Sequence, residues 1–205
     1  MLGLAACRFP TGSAARDGAI DAEPDAAEVD AVDAAFNPAT DCPVSYADTL
    51  ASSSSRYQIV QTLGTGWPQL ALCNTDLPGR THAATLETLQ EVVELDALLD
   101  ARLTIDRFYV GGVQSPTATA MNAGWIGFDG KPLLMSAWYT PENEPDDGAD
   151  GIENQTAQLL IIDHQLPYFH DAAGISVYGV VCECDGVPVH PTAQTYVDTD
   201  PNNPN

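Results

Sequence analysis

The apolar positions of this chain alternate between strand-like and helix-like spacing. Tyr57-Gln58-Ile59-Val60-Gln61-Thr62 is rich in β-branched and aromatic residues, between a serine run at 52–55 and Gly64. That pattern predicts a strand. Residues 67–73 predict a short helix with Pro68 in its first turn. Thr88 opens a clearer helix: Glu91 stands three residues on, the spacing of a capping box. Leu89, Val92, Val93, Leu95, Leu98 and Leu99 then recur at helical intervals. Residues 107–110 predict a further strand, and 158–162 and 175–184 predict the closing ones. From 111 to about 154 the chain is rich in Gly, Pro, Asn and Asp, and reads as a long loop region. Loops of that length inside a compact domain are functional or disordered. No internal repeat is visible.

The N-terminal region differs. Residues 8–41 are dominated by Ala, Asp, Glu and Pro, as in Asp21-Ala22-Glu23-Pro24-Asp25. Such a segment buries too little apolar surface to offset its ordering entropy, so a disordered acidic linker is expected. Leu4-Ala5-Ala6-Cys7 ahead of it resembles a bacterial lipobox, which makes Cys7 a candidate for lipidation and residues 1–7 the remnant of a lipoprotein signal. A basic n-region and a longer apolar stretch, usual in a signal peptide, are missing. The folded domain is expected over 42–190, with a flexible tail over 191–205.

Charge narrows the partners. The 205 residues carry 29 acidic and 7 basic side chains, a net charge of −22. That field repels nucleic acid and anionic lipid, so membrane contact is expected only through a lipid anchor. It attracts divalent cations. No apolar run is long enough to span a bilayer.

The acidic residues cluster in one informative way. Glu144-Pro145-Asp146-Asp147 is followed by Glu153, then by Phe169-His170-Asp171 and Cys182-Glu183. Oxygen ligands on two loops suit calcium, which takes six to eight of them in irregular geometry. Pro145 between acidic residues suits a sharp turn, with a cis bond as one way to make it. The plainer reading of such a segment is a solvated turn. Cys42, Cys73, Cys182 and Cys184 allow three pairings. Cys182-Glu183-Cys184 lacks the usual Cys-x2-Cys spacing of a zinc site. The histidines are scattered, and neither a Gly-x-Ser-x-Gly elbow nor a Gly-rich phosphate loop is present. Asp163-His164 could in principle serve acid–base chemistry, as could any paired carboxylates. A binding protein is expected, not an enzyme.

Several segments together resemble the C-type lectin-like domain. They are Trp67 with Cys73, His82 to Glu87 with Glu91, Tyr109-Val110-Gly111-Gly112, Trp125, Asp129-Gly130, Trp138, Glu144-Pro145-Asp146 and Phe169-His170-Asp171. The resemblance covers about 140 residues. It implies an α+β fold with two helices, a small mixed or antiparallel sheet and a long loop region. It implies the bridges Cys73–Cys182 and Cys42–Cys184. The family's bridge across the long loop is absent, its positions matching Gln155 and Gly174. It further implies a calcium site on Glu144, Asp146, Glu153, His170 and Asp171, beside which Asp147 adds a carboxylate. There a glycan would offer two hydroxyls to the ion. Asp146 stands where the family has an amide, and His170 where it has an oxygen ligand. Imidazole is a poor partner for calcium. The expected function is therefore an extracellular lectin-like module, secreted or anchored as a bacterial outer-membrane lipoprotein in an oxidising compartment. It would bind glycans with calcium or, alternatively, a cell-surface protein without it.

Overall fold

The computed structural model describes residues 35–101, 107–138, 144–145, 158–163 and 168–199. Cys7, Asp146, Asp147 and Glu153 lie outside the described residues, as do Tyr139 and His164.

In chain order the elements are helix α1 (Pro38–Asp41), strand β1 (Arg56–Thr65), helix α2 (Gly66–Asp76), strand β2 (Thr81–Ala83) and helix α3 (Leu89–Asp100). Strands β3 (Arg107–Gln114) and β4 (Trp125–Gly127) follow, then a 3-10 turn (Met135–Ala137). Strands β5 (Gln158–Asp163), β6 (Tyr168–Ala173) and β7 (Val177–Cys184) and helix α4 (Pro191–Thr199) complete the described chain. The sheet runs β1-β7-β3-β5-β6, with β2 paired to β7 and β4 to β3. All pairings are antiparallel except β3 with β7. This is a mixed α+β sheet.

Both faces of the sheet are covered, which explains why its central strands read as continuous apolar runs instead of alternating ones. Successive side chains point to opposite faces. Phe108, Val110, Ile162 and Val181 join α3's Val92, Leu95 and Leu99 in one core. Tyr109, Ile161, Val180, Cys182 and Cys184 join α2's Trp67, Leu70 and Cys73 in the other. Helix α3 starts as its sequence dictates. The Thr88 side chain accepts from the Glu91 amide, and Glu91 reaches back to the Thr88 N–H at 2.9 Å.

Two disulfides anchor β7. Cys42 is bonded to Cys184 and Cys73 to Cys182, the pairing that the resemblance implies. They close loops of 142 and 109 residues, and bridges of such span typically contribute a few kcal/mol.

Several expectations need correction. There are four helices among the described residues, not two. Residues 191–199 are not a flexible tail: Ala193 is buried and Tyr196 and Val197 pack on the α2-side core. Their i, i+3, i+4 spacing gives this short helix one apolar face. Residues 35–41, placed in the acidic linker, hold α1 capped by Asn37, and Phe36 packs against the same core. Within the expected loop region, residues 111–114 continue β3 and 125–127 form β4. The glycine at 111 misled the pattern. A Cβ there would overlap the Ala83 carbonyl, because the Gly111 amide bonds Ala84 O at 2.6 Å. Glycine is what lets the two backbones approach so closely.

Candidate functional site

The 3-10 turn and Trp138 lead the chain toward Glu144. Trp138 is buried and forms a parallel bridge with Phe169 of β6. Its ring meets Trp125 edge-on at 4.9 Å and Phe169 at 6.1 Å. Such edge-to-face pairs add to the stabilisation from burial alone. This aromatic trio fixes the end of the long loop region against the last strand in the sheet order. Trp138 is therefore core.

Glu144 precedes Pro145 through a cis peptide bond. Its Oε1 lies 2.9 Å from His170 Nδ1, and the two side chains are only 8% and 5% exposed. His170 and Asp171 sit inside β6, opposite Ile161 and Leu160 of β5. They were expected on a loop. The strand places them instead, because Phe169 and Ala172 on either side belong to the two cores. Burial works to raise the Glu144 pKa, but His170 and the groups of Asp171 outweigh it and hold the carboxyl below its usual range. Glu144 is therefore an ionised, largely buried carboxylate with a built-in partner. Its second oxygen, Oε2, has no hydrogen-bond partner among the described residues.

The structure thus brings together three of the six sequence-predicted site residues: Glu144, His170 and Asp171. Calcium requires six to eight oxygens. Here one carboxylate oxygen is engaged by an imidazole, and the described residues contain no group of three or more His, Cys, Asp or Glu able to hold a metal ion. The described residues alone do not fit calcium. What they can do is offer hydrogen-bond acceptors to a polar ligand, with His170 Nδ1 already engaged by Glu144.

Asp163, raised as half of an acid–base pair, is buried and bridged to Arg107 at 2.9 Å. It ties β5 to β3 instead of facing a ligand. The serine run, read as linker, is also engaged: Ser52 donates to Glu94 from its amide and hydroxyl at 2.9 and 2.8 Å. Sequence reading did not find the polar cluster around His82 and Glu183. The signal was an alternation across two strands: His82 and Glu183 are direct partners in the β2–β7 register.

No family model matches the sequence, and no curated protein matches it. Solved structures do match in shape. A C-type lectin, CEL-I from Cucumaria echinata, superposes with a TM-score of 0.56 at 13% identity, covering 70% of this chain and 96% of that one. The complex of SPL-1 with GlcNAc gives 0.54 at 14% identity, covering 71% and 96%. The Ca2+-independent C-type lectin SPL-2 from Saxidomus purpuratus gives 0.53 at 16%, covering 71% and 94%. The chain has the C-type lectin-like fold.

Proposed function

We propose that this protein is an extracellular lectin-like binding module whose Glu144–His170–Asp171 corner recognises glycan hydroxyls without needing calcium. One observation carries the reading: the buried Glu144 carboxylate already has a built-in partner, His170 at 2.9 Å. An ion that would otherwise fill that role is not required to keep the carboxylate buried. Among the described residues no donor reaches Oε2, and a buried acceptor left unpaired costs about 1–3 kcal/mol. A sugar hydroxyl would relieve it. Solved structures of the same fold include both a GlcNAc complex and a calcium-independent lectin, which supports the reading by analogy of fold alone. Two disulfides support an oxidising, extracellular setting. Cys7 would anchor the module there as a lipoprotein, with residues 8–34 as its tether.

The same unpaired Oε2 favours a second reading, in which Asp146, Asp147 and Glu153 complete a calcium site with Glu144 and Asp171. A glycan array probed with and without chelator separates the two. Binding that persists in chelator and falls at least tenfold in Glu144→Ala, with the melting temperature within a few degrees of wild type, supports the first. Binding lost in chelator supports the second. No glycan binding in either condition, with retained fold, overturns both and leaves protein recognition as the function.

A further inference from the structure

A second polar cleft, of about 330 Å3, opens between the serine run 52–55, β2 and the end of β7. Its walls carry Glu87, Glu91, Asp129, Glu183 and Asp185, with His82 as the one basic side chain among them. His82 is 1% exposed and Glu183 5%. Lys131 stands nearby but is already bound to Glu87 at 2.6 Å and Asp129 at 2.9 Å.

The geometry around the imidazole is specific. Nδ1 lies 2.8 Å from the Ala83 carbonyl oxygen. Nε2 lies 3.3 Å from Asp185 Oδ1, in ion-pair range though not aligned as a hydrogen bond. Both ring nitrogens face acceptors, and a neutral imidazole has only one N–H. Only the doubly protonated ring satisfies both. Glu183, facing His82 across the register, is itself a junction. It accepts from the Thr85 amide at 2.9 Å and from the Tyr57 hydroxyl at 3.3 Å. One buried carboxylate thus joins β7, β1 and the segment leading into α3.

We propose that His82, held as an imidazolium, is the internal counter-ion of this cleft, a proton-operated clasp that keeps β2 and the serine run seated on β7. Loss of its proton would set a lone pair against Asp185 and remove the positive charge that faces Glu183 and Asp185. A buried charge stripped of its partner is strongly unfavourable, so the cleft would loosen locally.

The electrostatics run in the same direction. Burial opposes the charged ring, but the bond to Asp185 and the field of Glu183 prevail and raise His82 from 6.5 to about 9. Burial raises Glu183 from 4.5 to about 7, against the pull of His82. Both groups bind protons more tightly folded than unfolded. Their stabilisation is full below 4.5 for Glu183 and below 6.5 for His82. It is lost as pH rises through about 7 and about 9 respectively.

The test is an NMR titration of the His82 ring in the full chain, with amide protection factors for residues 52–55 and 81–85 read in parallel. The expected ring midpoint is a full unit or more above 6.5, a tenfold gain in proton affinity. Protection in those two segments should fall at least tenfold across that midpoint, while α3 and β5 hold theirs. Asp185→Asn should move the midpoint down, and His82→Gln should abolish the pH-dependent step. A midpoint at or below 6.5 would overturn the clasp, as would a step that survives in His82→Gln. If His82→Gln does not fold, an Asp185→Asn midpoint equal to wild type overturns it as well.

Discussion

Two histidine–carboxylate pairs in this molecule look alike in composition and differ in how they are held. His82 and Glu183 occupy opposed positions on β2 and β7, and the cysteines on either side of Glu183 are both disulfide-bonded. Both nitrogens of that imidazole lie close to an oxygen, Nδ1 at 2.8 Å from Ala83 O and Nε2 at 3.3 Å from Asp185 Oδ1. His170 lies on β6, the terminal strand of the sheet order, and reaches a carboxylate that comes from the long loop region. Its pair is positioned by aromatic packing of Trp125, Trp138 and Phe169, not by sulfur or strand register. The first arrangement suits a fixed structural charge. The second leaves one buried carboxylate oxygen without a hydrogen-bond partner among the described residues.

The largest way to break this comparison is to remove the aromatic support. Trp138→Ala should destabilise the fold by about 3–5 kcal/mol, the usual range for a buried large aromatic. Glycan binding should be lost with it, while the His82 ring midpoint stays put. Denaturant unfolding and the ring titration check both halves. Next in size, removing either histidine strands a buried carboxylate, an effect of roughly 1–3 kcal/mol. His170→Ala should show that loss. His82→Gln should instead flatten the profile. In wild type the melting temperature should decline from pH 5 to pH 9, because both raised pKa values make protons stabilising across that window. A wild-type profile that rises from pH 5 to pH 9 contradicts this. The smallest expected effect is Thr88→Ala, which removes the α3 cap. It should cost about 1 kcal/mol and leave both histidine pairs untouched, so a change in either would mean they are coupled through α3.

How much of this was legible in the sequence depends on whether the signal was local. Helix α3 was readable because Thr88 and Glu91 cap it and its leucines repeat at helical spacing. Strands β1, β5 and β7 were readable from β-branched runs. Helix α4 was not, because its one apolar stripe is three residues in an otherwise polar stretch. Strand β6 was obscured by polar residues in its middle: His170 and Asp171 are buried, which an outward-facing polar pattern would not predict. Pairing of Glu144 with His170 spans 26 residues and became expected only through the family resemblance. The His82–Glu183 cluster depends on register between strands a hundred residues apart, and no local pattern encodes that. What the sequence did offer there was a histidine in a three-residue strand and a glutamate between two cysteines, each unremarkable alone.

The central claim is that His170 serves as the built-in partner of the buried Glu144, so the corner functions without a metal. Calorimetric titration of calcium into the full chain, followed by glycan in chelator, tests it most directly. The account predicts no calcium-dependent change in melting temperature and glycan affinity that is the same in chelator as in calcium. A melting temperature that climbs with calcium, together with glycan binding that vanishes in chelator, would contradict it.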